Sequence, residues 1–227
     1  MSMATESKAR VFTDVTVDPF VRGLLHEPEK PNGNGLLLTH GAGSNCQSPL
    51  LIAVACAFAD AGFTVLRCDL PYRQDRPFGP PLPGDAKRDR TGLKNAAVEL
   101  KKSHRLKEVF VGGHSYGGRQ ASMLCAEEPE FAPGLLLFSY PLHPPRKPEQ
   151  LRTQHFFHLK TPALFVQGTR DAFGTVAEIE HALKLIPAVT KLLTVEGAGH
   201  DLGFKGKARA KDVPGRALAE FQTFFSA

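Results

Sequence analysis

Short, nearly continuous apolar runs alternate along the chain with longer segments in which apolar residues recur every three or four positions. From about residue 35 onward this alternation predicts strands and helices in turn. The strand-like runs are Leu36-Leu37-Leu38, 63–68, Glu108-Val109-Phe110-Val111, 135–138, 163–167 and 191–195, apolar on both faces as strands covered by helices must be. The periodic segments 49–60, 87–102, 117–127, 176–185 and 213–225 predict the helices. Two segments at the start, 11–17 and 21–25, read as an antiparallel edge ahead of the turn Pro31-Asn32-Gly33-Asn34-Gly35. The fold class is therefore α/β, a mostly parallel central sheet with helices on both faces.

Two connections break the rhythm. Residues 71–90 contain Pro71, Pro77, Pro80, Pro81 and Pro83, and residues 139–160 contain Pro141, Pro144, Pro145 and Pro148. Each follows the C-terminal end of a strand, the edge where an open parallel sheet binds ligands, so both are expected to wall a site. Neither is long enough to bury a core of its own. One domain over 1–227 without a separate cap is expected, with 1–9 flexible.

Composition changes this picture little. Apolar residues make up 42% and charged ones 22%, close to globular averages, which excludes collagen-like and disordered chains. The longest apolar run, 50–59, stops at Asp60, at about half the length a bilayer span requires. Residues 1–8 lack the apolar stretch of a signal peptide, and Cys46, Cys56, Cys68 and Cys125 form no C-x-x-C pair. A cytoplasmic chain with reduced thiols and no membrane partner is the expectation. The net charge of +5 raises the question of an acidic partner. The basic residues gather at 87–107 and at Lys205, Lys207, Arg209 and Lys211, with no interleaved aromatics and no zinc spacing. They read as solvated helix faces, and no nucleic-acid partner is expected.

The chemistry lies at the run 108–111, which leads straight into Gly112-Gly113-His114-Ser115-Tyr116-Gly117-Gly118 and a predicted helix. In that context Gly-x-Ser-x-Gly holds a serine hydroxyl at the apex of a tight turn. Neighbours without Cβ are needed because strand and helix backbones close on each other around strained dihedrals. The N–H of Tyr116 faces the same space from the helix N-terminus. A phosphate-binding turn would prefer Gly-x-x-x-x-Gly-Lys-Ser/Thr, which is absent.

A hydroxyl is a poor nucleophile at neutral pH and needs a base, and the base needs a group to orient it. Between Ser115 and His200 the only aspartate is Asp171, just beyond the strand at 163–167, and His200 stands just beyond the strand at 191–195. All three emerge at one sheet edge in the order Ser, Asp, His. Asp201 and Glu196 adjoin the histidine they would have to hold and are weaker candidates. The turn Thr39-His40-Gly41-Ala42-Gly43-Ser44 exposes main-chain N–H groups at the same edge, so Ala42 joins Tyr116 as an expected oxyanion donor.

Three motifs, His40-Gly41-Ala42-Gly43, Gly113-His114-Ser115-Tyr116-Gly117 and the Asp171/His200 pair, make the chain resemble a small α/β-hydrolase over about residues 20–227. It is similar to the dienelactone-hydrolase-like and lipase/esterase-like branches, with Ser115 where dienelactone hydrolases proper carry a cysteine. The resemblance implies an eight-stranded type of sheet, short of an edge strand at most, a Ser-His-Asp triad and no cofactor. Pro71-Tyr72-Arg73 and Gly168-Thr169-Arg170-Asp171 also resemble a subgroup that includes chromatin-complex subunits. The leading expectation is a carboxylesterase-like enzyme with a small-molecule acyl substrate. Its rivals are a thioesterase, acyltransferase or peptidase with the same triad, and a non-catalytic interaction module.

His40, Gly41, Tyr72 and Arg73 are the expected substrate-binding residues, with Phe78 a further candidate for an acyl pocket and Arg76 for an acidic substrate group. No metal site is expected, because His143, His155 and His158 have no spaced carboxylate or cysteine to complete one. His114 is expected to pack behind Ser115. Oligomeric state is not legible in the sequence.

Overall fold

The computed structural model describes residues 9–204 and 212–226. The N-terminal segment 1–8 and the basic residues Lys205, Lys207, Arg209 and Lys211 lie outside the described residues. Eight strands form one sheet: β1 (Arg10–Asp14), β2 (Val21–His26), β3 (Asn34–Thr39), β4 (Thr64–Cys68), β5 (Glu108–His114), β6 (Leu135–Phe138), β7 (Ala163–Gly168) and β8 (Thr190–Val195). Their spatial order is β1-β2-β4-β3-β5-β6-β7-β8, so no edge strand is missing. The β1/β2 and β2/β4 pairs are antiparallel, and every pairing from β4 to β8 is parallel.

Helices cover both faces. The helices α1 (Pro49–Asp60) and α6 (Val213–Phe225) pack on one side, and α3 (Asp85–Ser103), α4 (Tyr116–Glu127) and α5 (Val176–Leu183) on the other. Side-chain alternation along the strands divides the core: Leu37 belongs to the α3/α4/α5 layer, and Leu36 and Leu38 to the α1/α6 layer. The second layer is a ring cluster in which Phe221 meets Phe58, Phe63 and Phe110 edge-on at 4.8–5.7 Å. Local signals set several boundaries. Proline in the first turn starts α1 and α6, and Thr175 with Glu178 forms a capping box on α5.

The first Pro-rich connection differs from expectation. Pro71–Asp75 is a short helix, α2, and α3 begins at Asp85, leaving only 76–84 irregular. Pro71 pre-sets the first helical turn, and buried Asp89 accepts the Tyr72 N–H at 3.0 Å, fixing α2 against α3. The second connection stays irregular apart from a 3-10 turn at Phe156–His158, anchored where Phe156 packs between Tyr140 and Phe165. The basic side chains of α3 are largely ion-paired: Arg90 with Glu127, Lys94 with Glu128 and Lys101 with Glu108. Among the described residues no helix is long and apolar enough to cross a membrane.

Candidate active site

Strand β5 ends at His114 and α4 starts at Tyr116, leaving Ser115 alone between them at φ +52° and ψ −116°. A serine in this region is strained, and surrounding structure has to impose the conformation. Here the Ser115 N–H donates to Phe138 O at 2.9 Å, the Gly117 N–H to His40 O at 3.1 Å, and the Arg119 N–H to Ser115 O at 2.9 Å. The flanking glycines are sterically required. A Cβ on Gly113 would lie 2.3 Å from Thr39 O, and one on Gly117 would lie 2.4 Å from Thr39 Oγ1.

The structure brings Ser115, His200 and Asp171 together. His200 Nε2 stands 2.8 Å from Ser115 Oγ, and His200 Nδ1 stands 2.8 and 3.0 Å from the Asp171 carboxylate oxygens. Asp171 is buried, and its oxygens also accept the Phe173 N–H at 2.9 Å and the Gln167 amide at 3.0 Å. An acceptor-only carboxylate requires a proton on Nδ1, which leaves the Nε2 lone pair to accept the Ser115 hydroxyl proton. The Phe173 ring stacks on His200 at 4.1 Å, and His114 Nε2 donates to the His200 carbonyl at 2.7 Å. Of the weaker candidates, Asp201 lines the pocket, and Glu196 sits beside Thr169.

Ala42 and Tyr116 both line the pocket beside Ser115, and neither backbone N–H donates to an acceptor among the described residues. Gly41 O accepts from Ser44 N–H at 3.0 Å and from Tyr72 OH at 3.3 Å. A trans peptide holds its N–H opposite its C=O, so the Ala42 N–H is aimed away from those groups. The Tyr116 hydroxyl turns inward to Asp89 at 2.7 Å, leaving only its backbone end at the pocket.

The pocket, about 340 Å³, also takes in Gly41, Leu50, Pro141, Arg152 and Phe204. Of the expected substrate-binding residues only Gly41 lies there. His40 is fully buried, accepts the Leu70 N–H on Nε2 at 3.1 Å, and is pushed by burial down to about 4, hence neutral. Tyr72 and Arg73 lie beneath the turn: Tyr72 OH donates to Ala42 O at 2.9 Å, while Arg73 donates to Ser44 O at 2.8 Å, Ala42 O at 3.0 Å and Gly79 O at 2.8 Å. Their polar groups are consumed by carbonyls, so they shape the turn rather than face a ligand. Arg76 pairs with Asp85, and Phe78 is 84% exposed outside the pocket. The first Pro-rich connection thus contributes no pocket wall, whereas the second supplies Pro141 and Arg152.

Gln167, Phe173, Asp89 and Arg152 also build or support the site, and no motif in the sequence singles them out. Gln167 had a visible signal, a polar residue ending an otherwise apolar strand; the other three had none. Among the described residues no three His, Cys, Asp or Glu side chains converge in a metal-binding arrangement. His143 Nδ1 meets Pro144 O, and His155 meets Ser122.

Residues 32–222 match the model of the alpha/beta hydrolase domain family, and the chain belongs to that family. Among the described residues no separate cap domain is present. The chain is similar to a dienelactone hydrolase from Anabaena variabilis, at 22% identity and a TM-score of 0.74, covering 97% of this chain and 99% of that one. An α/β serine hydrolase homologue from Coxiella burnetii matches with a TM-score of 0.74 at 13% identity, over 96% and 99% of the two chains. A protein of Xanthomonas campestris described as an α/β serine hydrolase without lid matches at 0.70 and 13%, over 95% of each. Family and fold support hydrolase activity.

Proposed function

We propose that the protein is a serine hydrolase that cleaves carboxylic esters of small or medium acyl groups. The observation that carries this reading is the relay from Ser115 Oγ to His200 Nε2 at 2.8 Å and from His200 Nδ1 to Asp171 at 2.8 Å. Ser115 Oγ attacks the acyl carbon while its proton passes to His200 Nε2, and Asp171 stabilises the resulting imidazolium. The carbonyl oxygen becomes an oxyanion held by the N–H groups of Ala42 and Tyr116. Collapse breaks the bond to the leaving alkoxide, which takes the proton from His200 and departs as the alcohol. Water then gives its proton to His200 and attacks the acyl-enzyme, releasing the acid and restoring Ser115.

A fluorophosphonate tests this through intact mass. One adduct on the wild type that is absent from Ser115→Ala is expected; a folded wild type that takes no adduct sinks the proposal and favours the non-catalytic module. Matched ester and thioester substrates then separate esterase from thioesterase, because the relay sets the electrophile's geometry and not its leaving group.

A further inference from the structure

The pocket wall is mostly apolar, formed by groups such as Leu50, Pro141, Phe173 and Phe204, and Arg152 is its one lysine or arginine among the described residues. Its backbone is tied down at both ends. The Arg152 N–H donates to Leu142 O at 2.8 Å, and Arg152 O accepts the Tyr140 hydroxyl at 3.0 Å. The guanidinium is almost unused. Of its five N–H donors one reaches a neutral acceptor, Pro141 O, at 3.3 Å, and no carboxylate among the described residues lies within ion-pair distance.

Arg119 stands behind it on the first turn of α4, four residues after Ser115. Its Nε is buried without a partner, and it too has no ion pair among the described residues. The groups around this pair do not offset its charge. Burial pushes the Tyr140 phenol up, so this hydrogen-bond partner of Arg119 is neutral, and His155 is pushed by burial, with Arg119 and Arg90 adding to it, down to about 4 and is neutral. Arg119 also adds to the desolvation that lowers Arg152. The nearby acids are otherwise engaged: Asp171 holds His200, Glu127 holds Arg90, and Asp201, on the pocket lining beside His200, accepts the Gly203 N–H at 3.2 Å. Two partly buried guanidinium groups with no ion-pair partner among the described residues cost stability, and that cost is offset when a bound ligand brings an anion to them.

We infer that Arg152, reinforced by Arg119, is the specificity-determining wall of the pocket and that the preferred substrate is an ester whose acyl chain ends in a carboxylate. A planar guanidinium with two free N–H groups binds a carboxylate through parallel charge-assisted hydrogen bonds, a geometry an ammonium cannot reproduce. This inference rests on the serine-hydrolase reading for its chemistry, but the anion site is testable separately.

The experiment compares mono(4-nitrophenyl) adipate with 4-nitrophenyl hexanoate, equal in chain length and leaving group and different in terminal charge. The wild type is expected to favour the adipate by about tenfold or more in kcat/KM. Arg152→Gln is expected to lower the adipate-to-hexanoate ratio by about 10–100-fold, Arg152→Lys by less, and Arg119→Gln by several-fold. Because the readout is a ratio within one preparation, a general loss of folded enzyme does not mimic it. A wild type that favours the hexanoate, with a ratio moved less than about threefold by Arg152→Gln, overturns the inference. If neither ester turns over and no phosphonate adduct forms, the hydrolase reading fails, and adipate binding to Ser115→Ala followed by NMR decides the anion site. Saturable binding abolished by adding Arg152→Gln upholds it; no binding overturns it.

Discussion

Two serines occupy matching places in this sheet and differ in almost everything that matters chemically. Ser115 follows β5 at φ +52° and Ser139 follows the neighbouring strand β6 at φ +47°. Each N–H continues the parallel ladder, Ser115 to Phe138 O at 2.9 Å and Ser139 to Val166 O at 2.8 Å. Both carry the strain of a left-handed residue with a Cβ. The Ser115 hydroxyl opens on the pocket and meets His200, whereas the Ser139 hydroxyl is fully buried with no hydrogen-bond partner among the described residues. Backbone strain at a strand end therefore does not make a nucleophile. A base in reach and a space for the substrate do.

The sharpest break in this comparison is removal of the relay. Ser115→Ala or His200→Ala is expected to lower kcat for a nitrophenyl ester by about 10⁶-fold, and steady-state assay of purified variants checks it. Asp171→Asn keeps the shape but loses the carboxylate that selects the Nδ1–H tautomer, so a drop of about 10⁴-fold is expected, read in the same assay. Next comes the support of the turn at 39–44, proposed to hold the oxyanion. Arg73→Met leaves the carbonyls of Ala42, Ser44 and Gly79 without their charged donor, and urea unfolding is expected to show a loss of about 2–4 kcal/mol alongside a lower kcat.

A pH effect of smaller size follows from His40 beneath the same turn. Its folded pKa, about 4, lies below the unfolded value near 6.5, so the unfolded chain binds the extra proton between those pH values. Stability is therefore fully present above pH 6.5 and is lost as pH falls toward 4; His40→Gln is expected to flatten the slope of unfolding free energy between pH 7 and pH 5. The smallest effect belongs to the other serine. Ser139→Ala removes a buried hydroxyl that has no partner among the described residues, and an unchanged phosphonate-labelling rate with stability within about 1 kcal/mol of wild type is expected. A large fall in labelling there would mean that the second strained serine contributes to the site.

The sequence by itself determined the order of the eight strands and of the five longer helices, and that Ser115, Asp171 and His200 lie at one sheet edge. The ends of Pro49–Asp60, Leu135–Phe138 and Val213–Phe225 coincide with the expected ones because apolar periodicity and first-turn prolines are local signals. Ser115, Asp171 and His200 were legible for a related reason: parallel strands deliver their following loops to one edge, so chain order alone places them together.

What only the tertiary structure decided is which way the remaining polar groups face. Tyr72 and Arg73 read from the sequence as ligand contacts, yet their donors end on carbonyls, among them those of Ala42 and Ser44 some thirty residues earlier and, for Arg73, that of Gly79. Arg152 had no local mark, yet the 139–160 loop lays it on the pocket while the 76–84 segment stays clear. A side chain of three or four rotatable bonds is aimed by whichever distant acceptors and voids the packed chain offers it. Periodicity and motifs, which are set over a few neighbouring residues, hold no record of those partners.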